Sequence, residues 1–299
     1  LTLTRAPGAG AGVAWASAMK IALLDDYQRV AREFADWSRL PPGSELVVFD
    51  RHIADPDELA QALEPFEVIV LMRERTPFPE ALVQRLPRLK LLVTTGGRNA
   101  SIDIPACRAR GITVSGTGTF GTSTAELTWG LILALLKRIP LEDRAVREGR
   151  WQTGLTTGLT GKRLGVVGLG KLGTQVARVG LAFGMDVVAW SPHLTDARAS
   201  EAGVRRLVDK RELFASSDIV SLHLVLSERT QGLIGASELN VMRPDAYFIN
   251  TARAGLVDEE ALLHVLREGK IAGAGLDVFS VEPLPADSPW LQLSQVVLT

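Results

Sequence analysis

Cysteine is nearly absent from this sequence, and neither sign of charge is in excess. The one cysteine, Cys107, excludes an intrachain disulfide and any metal site built from several thiolates, and we predict no metal centre. Lys and Arg number 33 and Asp and Glu 34, so no net field favours a nucleic acid or an acidic membrane. We therefore expect neither a nucleic acid nor a membrane as a partner.

Long hydrophobic runs are also lacking. The best candidate, residues 127–136 (LTWGLILALL), is far shorter than the roughly 18 apolar residues that a membrane-spanning helix needs. Residues 1–18 are rich in Ala and Gly but hold no continuous apolar stretch typical of a signal peptide. Because Met19 directly precedes a strand-like segment, we expect residues 1–18 to be a disordered extension of a cytoplasmic protein.

Apolar strand segments that alternate with amphipathic segments are abundant. Hydrophobic residues make up 46% of the 299 positions, which is enough for two buried cores. Near-continuous apolar strands separated by helices are typical of parallel sheets covered on both faces. The pattern predicts an α/β fold with two doubly wound parallel sheets, a first domain over residues 19–118 and a larger one over residues 119–299.

Two segments between the strands carry specific helix predictions. Residues 30–40 (VAREFADWSRL) are predicted as a helix of the first domain. A longer helical stretch begins at about Ser123. We expect Pro140 to break or kink it, because proline cannot donate a backbone hydrogen bond.

A glycine-rich turn follows the first strand of the second domain. Gly168, Gly170 and Gly173 in VVGLGKLG have the G-x-G-x-x-G spacing, directly after a strand and before a helix. The first glycine permits a tight turn, the second lets a pyrophosphate approach the backbone, and the third allows close helix packing. The sequence therefore predicts a Rossmann dinucleotide-binding domain, with a purely structural turn as the alternative.

The residue that discriminates NAD from NADP is expected at the end of the next strand. Ser191 in AWSPHL has this position, whereas Asp186 precedes the strand and is not expected to bind the ribose. A serine has no negative charge to repel a 2′-phosphate, and no arginine adjoins it. NAD is therefore the expected cofactor and NADP stays open, with His193 and Arg198 as candidate cations for a phosphate.

Charged side chains follow two later strands, at the sheet edge where parallel sheets bind ligands. Arg253 follows AYFIN, and Asp277 and Glu282 follow IAGAGL. An arginine can hold a carboxylate and polarise the adjacent carbonyl, and a glutamate can orient an imidazole that donates a proton. Taken singly, each has an ordinary alternative: a surface ion pair for Arg253, a helix cap for Asp277 and a solvated loop position for Glu282.

Three motifs in this order, VVGLGKLG, INTARAGLVDEEAL and AGAGLDVFSVEP, resemble the D-isomer-specific 2-hydroxyacid dehydrogenase family, which includes phosphoglycerate dehydrogenase and glyoxylate and hydroxypyruvate reductases. The resemblance runs from about Met19 to Thr299. It implies a flavodoxin-like substrate domain and a Rossmann domain that close around the ligand. It also implies an oxidoreductase that transfers hydride between NAD(P)H and a 2-oxo acid or D-2-hydroxy acid.

The resemblance also assigns roles to individual residues. Arg253 would bind the carboxylate and carbonyl of the substrate, and Glu282 would be the partner of a catalytic histidine. Cofactor-binding roles fall on the glycine loop and on strand ends: Gly168, Gly170, Lys171, Leu172, Gly173, Ser191, His223, Thr251, Ala252, Arg253 and Asp277. Substrate-binding roles fall on two loops of the first domain: Arg73, Gly97, Arg98 and Asn99. His52 is expected at the surface.

Other functions stay open. The same fold includes NAD(H)-sensing corepressors, which bind a partner protein without catalysis. Formate oxidation is disfavoured, because the usual formate enzymes carry glutamine where this chain has Glu282. The helix from about Ser123 resembles the dimerisation element of the family, which implies a homodimer; a core helix within one chain is the alternative.

The final segment, QVVLT, has the pattern of a strand. In this family such a strand is followed by Pro-His, and that histidine is the proton donor paired with Glu282. We therefore expect the C-terminus to be truncated and the chain to bind cofactor but catalyse poorly, since loss of an acid–base group typically costs about 10²–10⁴ in rate.

Overall fold

The computed structural model describes residues 17–97, 99–118 and 121–299. The chain divides into two compact units, Leu1–Thr119 and Phe120–Thr299. Of the expected N-terminal extension, residues 1–16 lie outside the described residues, and so does the predicted substrate-binding residue Arg98.

The first unit contains a five-stranded parallel sheet. Its strands are β1 (Lys20–Leu23), β2 (Glu45–Val48), β3 (Val68–Leu71), β4 (Leu91–Thr94) and β5 (Thr113–Gly116). Its helices are α1 (Pro56–Leu63), α2 (Glu80–Gln84) and α3 (Ile104–Ala109). The strand order β2–β1–β3–β4–β5 is the flavodoxin-like order, which confirms the fold predicted for this unit.

The centre of this sheet is buried on both faces. On one face Ile21 of β1 and Val68 of β3 are buried, and on the other face Ala22 and Ile69 of the same strands have no exposed surface. Leu63 of α1 and Val83 of α2 pack in the same apolar core. Burial on both faces explains why these strands are continuous apolar runs and not alternating ones.

Residues 30–40 do not form the predicted α-helix. They contain turns and one short 3-10 helix, Trp37–Arg39. The Asp26 carboxylate accepts the Ala31 amide at 2.9 Å, and the Ala31 carbonyl accepts the Trp37 indole N–H at 3.0 Å. In a helix that carbonyl would accept the amide four residues further on, so the indole competes with helix formation. The prediction was wrong because the apolar pattern does not reveal this side-chain bond.

The second unit contains a seven-stranded parallel sheet. Its strands are β6 (Arg163–Val167), β7 (Asp186–Trp190), β8 (Arg205–Arg206), β9 (Ile219–Leu222), β10 (Tyr247–Asn250), β11 (Gly273–Leu276) and β12 (Val296–Leu298). Its helices are α4 (Ser123–Leu136), α5 (Ile139–Arg147), α6 (Lys171–Ala182), α7 (Asp196–Glu201), α8 (Lys210–Ser216), α9 (Ala236–Leu239) and α10 (Glu259–Arg267), with 3-10 helices at Ala254–Leu256 and Pro289–Gln292. The order β12–β11–β10–β9–β6–β7–β8 is the Rossmann order with one further strand, as predicted.

The helical stretch from Ser123 is interrupted near Pro140, as predicted. Between α4 and α5, Arg138 adopts the left-handed conformation with φ +54°. Pro140 stands in the first turn of α5, where its missing N–H costs no helix hydrogen bond. Leu131 and Ile132 of α4 are buried in the core of the second unit, so α4 is a core helix.

Within the described residues, no helix combines the length and the apolar character needed to cross a membrane.

Candidate functional site

The glycine-rich loop lies directly after β6, and its first glycine is required by the backbone. Gly168 has φ +104°, a conformation that residues with a side chain rarely adopt. A Cβ atom there would come within 2.7 Å of the His223 carbonyl group. The loop therefore turns tightly against the end of β9 only because this position has no side chain.

The other two glycines of the loop have different surroundings. A Cβ on Gly173 would lie 2.0 Å from the Gly168 carbonyl oxygen, so this glycine permits α6 to pack on the loop. A Cβ on Gly170 would meet nothing within 4 Å. Gly170 is the N-cap of α6 and offers no side-chain cap to the first amides of the helix, which can therefore bind a pyrophosphate. The loop thus fits the phosphates of a dinucleotide.

Ser191 follows β7, where a ribose-binding residue is expected. Its Oγ accepts a hydrogen bond from the Leu169 amide of the glycine loop at 3.0 Å. The hydroxyl proton stays available for donation, since that bond uses only a lone pair. Asp186 lies at the opposite end of β7 and pairs with Arg163 at 2.7 Å, so it does not stand at the ribose position.

His223 follows β9 and is half-buried beside the loop. Burial lowers its pKa from 6.5 to about 4. Its Nε2 lies 2.9 Å from the Ser221 hydroxyl. The ring is therefore neutral near pH 7, and it could contact a cofactor through its neutral imidazole but not through a positive charge.

The loop after β10 is fixed by a single amide side chain. The Asn250 amide group donates to the Arg253 carbonyl at 3.0 Å, and its Oδ1 accepts from the Ala252 amide at 3.0 Å. The Arg253 guanidinium in turn donates to the Ala252 carbonyl at 2.7 Å. Asn250 was not predicted as a site residue. Its place at the end of an apolar strand, three residues before Arg253, is the only sequence signal for this role.

Thr251 is positioned by a hydrogen bond to Thr128 of α4, a residue that was not predicted for the site. The hydroxyl oxygens of Thr251 and Thr128 lie 2.8 Å apart, and both residues are buried. Thr128 also donates to the Thr124 carbonyl at 2.8 Å, so the proton between the two hydroxyls comes from Thr251. Because Thr128 lies within the apolar run LTWGLILALL, the sequence predicts only a core position for it. No pattern indicates its contact with Thr251.

The loop after β11 carries the two predicted acidic residues. The Asp277 amide donates to the Asn250 carbonyl at 3.1 Å, and the Thr299 hydroxyl donates to the Asp277 carboxylate at 3.1 Å. Glu282 is exposed, and its Oε1 accepts the Phe279 amide at 3.0 Å. Since β10 and β11 are parallel neighbours, Glu282 and Arg253 lie on loops that leave the same edge of the sheet.

In the first unit, Arg73 stands in a left-handed backbone conformation after β3. Its φ is +59°, its amide donates to the Thr95 hydroxyl at 2.9 Å, and its carbonyl accepts the Asn99 side-chain amide. The Asn99 side chain also binds Thr94 and Ser101. Asn99 therefore orders the loop around Arg73 with its side chain. A Cβ on Gly97 would meet nothing within 4 Å, so the approach to its backbone is open.

His52 is not the surface residue that the sequence suggested. It is half-buried, and its Nδ1 lies 3.1 Å from the carboxylate of Asp25, a residue that is 1% exposed. The same carboxylate accepts the hydroxyl of Thr76 at 2.6 Å. Asp25 also has a left-handed backbone, with φ +58°. The sequence does not predict this cluster, because its members come from three separate loops.

The chain matches the protein family described as "D-isomer specific 2-hydroxyacid dehydrogenase, NAD binding domain". The match covers residues 129–299, which is more than half of the chain. The matched region contains the glycine loop, Ser191, and the loops after β10 and β11.

Curated proteins with similar sequences include D-3-phosphoglycerate dehydrogenase from Archaeoglobus fulgidus, which is 39% identical over 246 residues, 81% of this chain and 46% of that protein. Glyoxylate reductase from Korarchaeum cryptofilum is 35% identical over 269 residues, 88% of this chain and 77% of that protein. The chain spans about half the length of the first of these relatives.

Among solved structures, phosphoglycerate oxidoreductase from Vibrio cholerae superposes with a TM-score of 0.89. It is 40% identical, and the match covers 94% of this chain and 90% of that chain. D-lactate dehydrogenase from Escherichia coli gives a TM-score of 0.76 at 26% identity.

Proposed function

Since this chain belongs to the D-isomer specific 2-hydroxyacid dehydrogenase family, we propose that it transfers hydride between NAD(P)H and a small 2-oxo acid, with a D-2-hydroxy acid as the reduced product. The observation that supports this most is the shared edge of the second sheet. The glycine loop, Ser191 and Arg253 follow β6, β7 and β10, and the carboxyl ends of parallel strands form the ligand-binding edge.

The nicotinamide cofactor supplies or accepts the hydride when it is bound. Backbone amides at the start of α6 would hold its pyrophosphate, and the Ser191 hydroxyl would donate to the adenosine ribose. Asp277 would hold the carboxamide of the nicotinamide. Thr251 gives its own proton to Thr128, so it would offer a ligand only an acceptor oxygen.

On the substrate, the Arg253 guanidinium would bind the carboxylate and polarise the adjacent carbonyl. The bonds from Asn250 hold the peptide of Arg253 in place, so less freedom is lost when substrate binds. Among the described residues, the Glu282 carboxylate accepts only the Phe279 amide, which leaves Oε2 to orient an acid–base group. Substrate-binding roles for Arg73, Gly97 and Asn99 stay predictions, as does a cytoplasmic location.

Oxidation of NADH and of NADPH with glyoxylate, hydroxypyruvate, pyruvate and 3-phosphohydroxypyruvate tests this proposal. We expect loss of absorbance at 340 nm with at least one pair. Arg253→Ala should lower kcat/KM by about 10²–10³-fold, because a charged, bidentate contact is lost. Arg229→Ala, an exposed arginine of the same unit, is the control and should retain activity. Tight binding of NADH without turnover of any 2-oxo acid would instead favour an NAD(H)-sensing protein.

The chain is also proposed to form a homodimer through α5 and the segment that follows it. Four apolar side chains there are exposed: Ile139, Val146, Trp151 and Leu155. Trp151 is 76% exposed and Leu155, four residues further on, is 96% exposed, which is unusual for two large apolar side chains so close in sequence. A second copy of this chain would bury them.

A further inference from the structure

We propose that Glu259 is a positioning residue that holds the loop carrying Glu282. Glu259 is the first residue of α10, and the loop joins β11 to β12. The inference rests on the proposed function, because the position of Glu282 has a purpose only in that reaction.

The two oxygens of the Glu259 carboxylate bind two separate points of this loop. Oε1 accepts the indole N–H of Trp290 at 2.8 Å, and Oε2 accepts the hydroxyl of Ser280. Trp290 is 3% exposed and belongs to the apolar core of the unit. Ser280 precedes Glu282 by two residues and Trp290 follows it by eight, so the carboxylate holds the loop on both sides of Glu282.

The loop also fixes the Glu282 side chain by a bond of its own. The Phe279 amide donates to Glu282 Oε1, and Phe279 is the direct neighbour of Ser280. Glu259, Phe279 and Trp290 also line a small cavity.

Glu259 also connects the loops of the two proposed catalytic residues. Arg253 lies on the loop between β10 and α10, and Glu259 is the residue at which that loop ends. The hydrogen bonds of its carboxylate therefore connect the loop between β11 and β12, which carries Glu282, to the end of the loop between β10 and α10, which carries Arg253. The separation between the Arg253 guanidinium, which would bind substrate, and the Glu282 carboxylate, which would orient the acid–base group, depends on this connection.

An ordinary role for Glu259 is to complement the positive end of the α10 dipole. Glu260 provides the matched control for that role. It stands in the same first turn, is exposed, and makes no side-chain hydrogen bond or ion pair with the described part of the chain. If only the helix dipole mattered, replacing Glu259 or Glu260 would destabilise α10 to a similar extent. Loss of the proposed positioning role would follow from replacing Glu259 alone.

The experiment combines native-state hydrogen exchange with steady-state kinetics on the full chain. In Glu259→Ala we expect exchange at residues 278–290 to rise about 10–100-fold, since two bonds to a charged group are lost. We expect kcat to fall by a similar factor, while the Kd for NADH stays within about two-fold. Glu259→Gln should restore both values, because its carbonyl can accept from Trp290 and its amide can donate to Ser280. Glu260→Ala should resemble the native protein.

Unchanged exchange in Glu259→Ala, or an equal rise in Glu260→Ala, would overturn the proposal. Faster exchange with a native kcat would overturn it as well, since the loop would then move without consequence for the reaction. If Glu259→Ala does not fold, Ser280→Ala removes one of the two bonds and is read by the same criteria. If the native chain reduces no 2-oxo acid, the proposed function fails, whereas the exchange data still decide whether Glu259 holds the loop.

Discussion

Two glycines of the same loop are required for different reasons, and this difference can be measured. Gly173 has no room for a Cβ, because the Gly168 carbonyl oxygen would lie 2.0 Å away. Gly170 has room in the protein alone, and only a bound pyrophosphate would fill it. Gly173 is therefore required by the fold, and Gly170 is required by the ligand.

We expect Gly173→Ala to lower the free energy of unfolding by about 1–3 kcal/mol, the usual cost of overpacking. Gly170→Ala should change it by less than about 0.5 kcal/mol but weaken NADH binding by about ten-fold or more. Urea unfolding and fluorescence titration with NADH measure the two quantities. Equal destabilisation by both substitutions would contradict the distinction.

His223 predicts a specific pH dependence of stability. Its pKa is about 4 in the folded protein against 6.5 in the unfolded chain, so the unfolded chain binds more protons between these values. The free energy of unfolding should therefore fall as the pH drops from 7 to 5. Because the ring is only half-buried, we expect this residue to account for about 1–2 kcal/mol of the loss.

Urea unfolding of the native protein and of His223→Gln at pH 7 and pH 5 isolates this contribution. The variant should lose less stability than the native protein over the same interval, because glutamine does not titrate. Equal losses in both proteins would mean that the imidazole is already protonated, or already solvated, in the folded state.

At the scale of the elements, the strands were predictable from the sequence, but the side-chain hydrogen bonds between elements were not. The continuous apolar run of β3 (VIVL) arises from burial on both faces, and burial is a property of the segment itself. The absence of a helix over residues 30–40 depends on the Trp37 indole, and the position of Thr251 depends on Thr128. Such bonds join residues whose spacing in sequence carries no periodic signal.

The hydrogen bond between Thr128 of α4 and Thr251 of the loop after β10 can be tested by a double-mutant cycle. Thr128→Val removes the acceptor of the Thr251 hydroxyl and leaves that group buried, which should cost about 1–3 kcal/mol of stability. The double variant with Thr251→Val should cost less than the sum of the single variants, because two apolar groups then face each other. Additive losses in urea unfolding would indicate that the hydroxyls do not interact.

At the scale of the whole molecule, the family and the order of strands in both sheets followed from motifs and patterns. The contacts of the side chains in the first unit did not, since the Arg73 carbonyl accepts from the Asn99 side chain and no motif indicates that bond. The same holds for the hydrogen-bonded pair of Asp25 and His52, whose positions in sequence are 27 residues apart.

The proposed homodimer predicts a concentration-dependent mass. Sedimentation equilibrium should give twice the chain mass of 32.2 kDa for the native protein. Trp151→Ser combined with Leu155→Ser should shift it toward the monomer, because their burial would supply much of the interface energy. Val208→Ser removes another exposed apolar side chain, 75% exposed and outside this segment, and should leave the mass unchanged. A native monomer would exclude the dimer.

The order of strands also has a consequence for synthesis on the ribosome. In the second sheet β6 pairs with β9, although β7 and β8 are made between them. At about 5–20 residues per second, the chain from Val167 to Ile219 takes roughly 3–10 s to appear. During that interval one edge of β6 has no partner strand, whereas the sheet of the first unit is already complete at Gly116. Nascent chains should therefore be most prone to aggregate or to recruit chaperones in this window.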